Sequence, residues 1–180
     1  MTALQRRHAK AVNFGIVYGI SEFSLAEDIG VSRYEARAYI DNYLANYQGV
    51  RNYMKQVVAD AREIGYTQTL YGRRRYIPEL KSSNFNIRQG AERMTLNTPI
   101  QGTAADLIKL AMIRVDKALR ENYPEAKLLL QVHDELIVEC PEAIAPQVAE
   151  LVSREMEQVA ALSVPLTAEA KIGKSWYDAK

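Results

Sequence analysis

The chain has 180 residues and an almost balanced charge, with 23 Lys and Arg against 22 Asp and Glu. At 48% hydrophobic and 25% charged residues, it can bury a core in one domain or two small ones, which excludes the disordered and collagen-like classes. The net charge of +1 hides an asymmetry: 17 basic and 11 acidic residues up to Leu119, 3 and 10 over residues 120–170, and 3 and 1 in the last ten. Near-neutrality therefore does not exclude a polyanionic partner. Cys140 is the only cysteine, which excludes an intrachain disulfide and a Cys-based zinc cluster and favours a reducing compartment. The first ten residues lack an apolar signal core, and no stretch approaches the roughly 20 apolar residues that span a bilayer. The expectation is a cytoplasmic chain with no membrane partner.

In chain order, Leu4 to Tyr18 reads as a helix stopped near Gly19. Ser21 is placed to cap a short helix through Ile29, with Gly30 just beyond its end. Ser32 opens a longer helix whose apolar residues, Ala36, Tyr39, Ile40, Tyr43, Leu44 and Tyr47, keep helical spacing up to Gly49. Another helix is expected from about Val50 to Ile64. Tyr66 to Pro78 reads as a hairpin around Gly72, with Arg73, Arg74 and Arg75 at its turn. A helix from about Asn86 to Asn97 should end before Pro99, and Thr103 is the N-cap candidate of the next, with Asp106 in a capping-box relation. That helix runs to about Leu119. Leu128 to Val132 and Leu136 to Glu139 then form two short strands about His133, Asp134 and Glu135. Ile144 to Leu162 is an amphipathic helix, and Leu166 to Ile172 alternates as a strand. The first ~50 residues are thus all helical and the remainder is α+β.

Two places carry chemistry. Arg6, Lys10, Phe14 and Tyr18 recur every fourth residue, forming one slightly slanted row about 18 Å long on the first helix. Cations lead and aromatics follow, which suits a ligand with a phosphate tail and a flat ring. Arg6, Arg7 and Lys10 stand near a helix N-terminus, where the macrodipole disfavours cations, and Gly15 and Gly19 are weak helix formers. An ordinary amphipathic helix with a solvated basic end accounts for the periodicity equally well. The second place is Asp134, at the tip of the hairpin in QVHDELIVE, where a carboxylate offers hard oxygen ligands to Mg²⁺. Asp is also an ordinary turn former.

The string RRHAKAVNFGIVYG resembles motif B of the family A DNA polymerases, with the pattern R-x3-K-x6-YG and an aromatic midway. QVHDELIVE resembles motif C of the same family, about 120 residues downstream. The resemblance extends to TLYGRRRYIPEL, ERMTLNTPIQGTAADLIKLAM and IGKSWYDAK, practically the whole chain. It implies an α+β fold: a helical fingers portion over residues 1–50, then part of an antiparallel-sheet palm with flanking helices over residues 51–180. The implied reaction is template-directed DNA synthesis, nucleotidyl transfer from a dNTP to a primer 3′-OH. By resemblance, Arg6 and Lys10 contact the dNTP phosphates, Phe14 the base and sugar, and Tyr18 the template-base position. Closure of the first helix over a correct pair supplies induced fit. Asp134 maps to a metal-binding catalytic aspartate, Glu135 to its neighbouring acid and His133 to a residue near the primer end. Arg93, Asn97 and Gln101 map beside the nascent pair and minor groove, and Arg73, Arg74 and Arg75 beside the DNA backbone. Gln and Asn can read minor-groove acceptors shared by all base pairs. The three arginines suit phosphates, though a solvated turn is the plain alternative. Trp176 reads as a packing anchor and Cys140 as a buried small side chain.

Two-metal transfer with Mg²⁺ needs carboxylates from two places, and only one is recognisable here. The family's motif A would precede motif B, whereas this chain begins five residues before Arg6, and none of Asp28, Asp41, Asp60, Asp116 or Asp178 has a motif A context. The expectation is the C-terminal piece of a polymerase, inactive or nearly so alone, whose partners are primer-template DNA, dNTP and the missing N-terminal part. Three rivals remain. A phage-type RNA polymerase shares the motif B spacing, although the His-Asp-Glu run and Thr-Pro-x-Gln-Gly-Thr fit the DNA enzymes better. Leu25 to Tyr39 reads as a helix-turn-helix with Gly30 in the turn, a non-catalytic DNA-binding module, but its second helix would read a groove poorly, since Arg33 and Arg37 are offset by Glu35 and Asp41 and Tyr39, Ile40 and Tyr43 are expected to be buried. Finally, the piece could be a structural fragment with an inert nucleotide site.

Overall fold

The computed structural model describes residues 2–179. It is α+β and divides into two compact units, one ending at Thr103 and one beginning at Ala104. No described helix is long and apolar enough to cross a membrane.

In the first unit, local capping chemistry sets the helix ends. Helix α1 (Ala3–Val17) opens on Thr2: the Thr2 hydroxyl accepts from the Gln5 amide, and the Gln5 side chain accepts from the Thr2 amide. It stops where Gly19 takes a positive φ of 76°. Ser21 caps α2 (Glu22–Ile29), which ends on left-handed Gly30. Ser32 and Glu35 cap α3 (Arg33–Asn46) reciprocally. Leu25, Ala26, Ile29 and Ala36 form the core under these helices, with Ala11, Val12 and Ile20 against it. Helix α3 ends earlier than its apolar spacing implies. Tyr47 leaves helical geometry and α4 (Gln48–Ile64) starts at once, so Gly49 lies inside α4 rather than beyond α3.

After Gly65, β1 (Tyr66–Gln68) pairs antiparallel with β2 (Arg74–Tyr76). Arg74 and Arg75 therefore stand on a strand, and of the three arginines only Arg73 belongs to the turn. The cause is Thr69. Its amide donates to the Arg73 carbonyl at 3.0 Å, and its hydroxyl accepts from the amides of Tyr71 and Arg73 at 3.3 and 3.2 Å. This loop satisfies its own backbone, so the ladder begins only at Arg74. A 3₁₀ turn, Pro78–Lys81, leads to α5 (Phe85–Asn97), whose first amides Asn84 caps. Ala61, Ile77, Leu80 and Ala91 bury this second core.

The break expected at Pro99 does not occur. Thr98 stays helical (φ −60°, ψ −45°), and a π-helical turn, Thr98–Gly102, carries the chain into α6 (Thr103–Asn122). Proline has no N–H, so the Thr95 carbonyl loses its i+4 donor. The Thr67 hydroxyl on β1 takes that place through a long 3.4 Å bond. Because the helix continues, Thr103 is itself helical (φ −65°, ψ −41°) and is not an N-cap; its hydroxyl donates to the Pro99 carbonyl at 2.5 Å and accepts from the Leu70 amide at 2.9 Å. Asp106, expected in a capping box, is buried. The hairpin also packs tightly on the π turn, where a Cβ on Gly102 would stand 2.6 Å from the Thr69 methyl.

In the second unit, β3 (Lys127–Val132) and β4 (Glu135–Glu139) form an antiparallel hairpin with an irregularity between Leu128 and Leu130. Its turn is His133 and Asp134 alone, with Glu135 already on β4 and His133 at φ 55°. Val115 and Leu119 of α6 pack with Ala126 against Val148, Leu151 and Val152 of α7 (Ala145–Glu157), and Leu128, Leu136 and Val138 add the hairpin's inner face. Helix α7 ends before the expected Leu162. The Arg114 guanidinium bonds the Gln158 carbonyl and holds Glu155 at 2.9 Å, closing the helix end with a cation. Leu166 to Ile172 forms no strand, since none lies beside it to share backbone bonds; the Ala168 amide donates to the Glu157 carboxylate at 3.1 Å instead. Cys140 is half-buried, and burial raises its thiol pKa.

Two consequences are measurable. Bonds from the Ser32 hydroxyl and amide hold the Glu35 carboxyl below its ordinary value of 4.5. Its contribution to stability is thus present above that value and lost as pH falls through the lower folded one. Carboxyl carbon NMR should show Glu35 titrating low, and Ser32→Ala should raise it only part of the way to the ordinary value, because the amide at position 32 still donates to the carboxylate. Gly102→Ala should lower unfolding free energy by about 1–3 kcal/mol in urea melts, because Thr69 is buried and cannot swing aside.

Candidate functional site

The residues singled out by sequence fall in both units. In the first, α1 carries Arg6, Lys10, Phe14 and Tyr18 on one row and has no acidic residue along its length. Arg6 and Lys10 are exposed, and no described ion pair engages either of them. The Lys10 ammonium lies 5.9 Å from the Phe14 ring centre, and the Phe14 and Tyr18 rings are 6.2 Å apart and tilted by 35°. Phe14 is 48% exposed, an apolar face open at mid-row. The plain alternative of an amphipathic helix buries Ile16 on the opposite side, so packing does not require the exposed aromatic.

The row's far end is tied to the π turn. Gln101 donates its side-chain amide to the Tyr18 hydroxyl at 2.5 Å, joining residues 83 positions apart. Gly19 makes the approach possible, since a Cβ there would stand 3.0 Å from Leu96 and 3.5 Å from the Arg93 side chain. Arg93 therefore sits at the end of α1. A pocket of about 220 Å³ lies alongside, lined by Thr69, Arg73, Arg74, Arg75, Asn97 and Gln101 among others. Arg74 covers the Tyr66 ring at 4.5 Å, and Arg75 reaches the Met94 sulfur at 3.3 Å. The Asn97 Oδ1 is buried without a hydrogen-bond partner, a costly state for an acceptor unless a ligand or water completes it.

In the second unit, His133, Asp134 and Glu135 are all exposed at the hairpin tip. The left-handed backbone at His133, a conformation His adopts more readily than most residues, turns the chain within two positions and leaves Asp134 at the apex. Gln131 donates to the His133 carbonyl, bracing the turn. Trp176 departs from the packing anchor expected of it: it is 44% exposed, and its indole N–H donates to the Glu135 carboxylate at 3.3 Å. Its segment is folded back by the Ser175–Asp178 bond of 2.6 Å around Gly173, where any Cβ would collide with Asp178. Sequence spacing could not reveal a partner 41 positions away. Among the described residues no three His, Cys, Asp or Glu side chains converge as a metal cage. Asp134 and Glu135 are two exposed carboxylates, hard oxygen donors of the kind Mg²⁺ takes.

The helix-turn-helix reading fares differently. Helices α2 and α3 do flank left-handed Gly30, but Arg33 spans to Glu22 at 3.6 Å and Arg37 to Asp41 at 3.5 Å, leaving α3 a self-neutralised face. Tyr39, whose expected burial counts against groove reading, is instead 49% exposed, so the paired arginines alone weigh against this reading.

Comparison with known proteins identifies the family. The DNA polymerase family A profile matches residues 1–178. DNA polymerase I of Bacillus subtilis is 55% identical over all 180 residues, and that of Streptococcus pneumoniae 52%. In both cases the chain spans only 20% of the relative's length. Among solved structures, the POL domain of Pol1 from M. smegmatis, in complex with DNA primer-template and dNTP, superposes with a TM-score of 0.93 at 45% identity, covering 99% of this chain and 31% of that one. A profile match along nearly the whole chain, identity at about half its positions and a shared fold converge: this chain belongs to DNA polymerase family A.

Proposed function

We propose that this chain supplies the nucleotide-binding fingers segment, to about residue 50, and the motif C palm portion of a DNA-directed DNA polymerase. The observation that carries the reading is the Arg6–Lys10–Phe14–Tyr18 row on an acid-free helix, its last member bonded to Gln101. Lys10 and Arg6 bind and orient the triphosphate of a dNTP as charge-assisted donors. Phe14 offers its face to the base and sugar, and Tyr18 marks the template-base position. Gln101 and the unpaired Asn97 Oδ1, with Arg93 nearby, meet the minor-groove edge and sugars of the terminal pair. Arg73, Arg74 and Arg75 hold the backbone phosphates of primer-template DNA. The complex of the mycobacterial relative with DNA and dNTP supports this assignment.

At the palm hairpin, Asp134 is the metal ligand and Glu135 the adjoining acid oriented by Trp176, while His133 faces the primer end. These carboxylates would hold Mg²⁺, which when bound would supply charge neutralisation at the phosphates and acidify the primer 3′-hydroxyl. One carboxylate locus fits half of such a two-metal site; a second carboxylate set comes from polymerase sequence outside this chain. This piece alone is therefore expected to have little or no polymerase activity.

Two measurements test these roles. The chain should bind dNTP with Mg²⁺ weakly, and Lys10→Ala should reduce that affinity about tenfold or more, as loss of a charge-assisted contact requires; equal binding by both proteins would remove Lys10 from the site. Reassembly with a polypeptide supplying the family's motif A should restore templated primer extension, and Asp134→Asn in the reassembled complex should abolish it. Extension that persists in the variant would refute the metal-ligand role.

A further inference from the structure

The arginine hairpin and the Asn97–Gln101 turn line one pocket, and bonds to the backbone join the two. The connection runs through the backbone. Thr103 has its own amide committed to the Ile100 carbonyl, which leaves the Pro99 carbonyl to its hydroxyl. The same hydroxyl accepts the Leu70 amide at 2.9 Å, one residue after Thr69. Thr69 in turn gathers the amides of Tyr71 and Arg73 and bonds the Arg73 carbonyl through its own amide. A single hydroxyl thus clamps the loop that launches Arg73, Arg74 and Arg75 onto the turn that carries Gln101. Gly102 lets the Thr69 methyl seat against that turn, and the Thr67–Thr95 bond anchors the hairpin's other end.

We propose that Thr103 is a positioning residue: its hydroxyl fixes the distance between the phosphate-binding arginines and the minor-groove amides, so that both engage one DNA duplex at once. This rests on the reading of the hairpin as a DNA surface. Valine matches threonine in shape but removes both bonds, leaving the Leu70 amide and the Pro99 carbonyl unpaired. Serine keeps the hydroxyl. A purely structural role would change thermal stability alone, whereas positioning changes DNA binding in a salt-dependent way.

Fluorescence anisotropy of a labelled primer-template duplex with this chain, across a salt series, separates these possibilities. Thr103→Val should weaken binding about five- to tenfold and lower the slope of log affinity against log salt by about one phosphate's share, while Thr103→Ser restores both. Wild-type-like binding by Thr103→Val, or no rescue by Thr103→Ser, overturns the proposal. Arg74→Ala is the control for the reading beneath it. If the wild-type chain shows no salt-dependent binding, or Arg74→Ala binds as tightly as wild type, the hairpin is not a DNA surface and the proposal falls with that reading. If Arg74→Ala weakens binding and Thr103→Val does not, only the positioning role fails. Should Thr103→Val not fold, amide exchange in the wild-type chain decides: the Leu70 amide must be protected to a degree comparable with Thr69, and a freely exchanging Leu70 refutes the clamp.

Discussion

The first unit depends on one missing hydrogen-bond donor. Pro99 deprives the Thr95 carbonyl of its helical partner, and a buried carbonyl left unpaired is costly. The chain answers by widening the helix into a π turn rather than ending it, and by recruiting Thr67 from the neighbouring strand. Threonines recur along this stretch for the same reason. The hydroxyls of Thr95, Thr98 and Thr103 each donate to the carbonyl four residues back, those of Ala91, Met94 and Pro99. A proline that by itself would break the helix thus becomes the point where helix and hairpin join, and π turns of this kind are often found at functional sites.

That junction explains how residues distant in sequence share one pocket. Asn97 and Gln101 flank the proline, while the arginines hang from a loop bonded to Thr103. The Gln101–Tyr18 bond then brings α1 to the same turn. Electrostatics follows the same geometry, since the acid-free α1 and the arginine hairpin concentrate the positive charge seen in the amino-terminal two-thirds of the sequence.

Features written in local chemistry were legible in the sequence. Ser21, Ser32 and Gly30 end helices through bonds within a few residues, so their types and spacing suffice. The row on α1 was legible because a helix converts spacing into a face. Features that depend on distant partners were not. Pro99 read as a stop because its compensating donor lies on β1, and the end of α7 was misjudged because Arg114 closes it from α6. The register of β2 was hidden by the bonds that Thr69 makes within its loop. Alternation in Leu166 to Ile172 signalled a strand, but a strand also needs a neighbour. At the candidate site, the link from Trp176 to Glu135 was equally invisible, because tryptophan near a chain end ordinarily signals packing.

The two-residue turn of the β3–β4 hairpin narrows the alphabet available at its tip. With His133 held at φ 55°, the position accepts glycine, asparagine, aspartate or histidine far more readily than other residues, and β-branched side chains worst of all. Of that short set, histidine alone carries an imidazole, able to donate at one ring nitrogen and accept at the other. Aspartate there would set a second negative charge beside Asp134, and glycine would offer no side chain at all. The tight turn thus confines position 133 to a handful of residue types, and histidine is the one among them that sets an aromatic hydrogen-bonding ring beside Asp134.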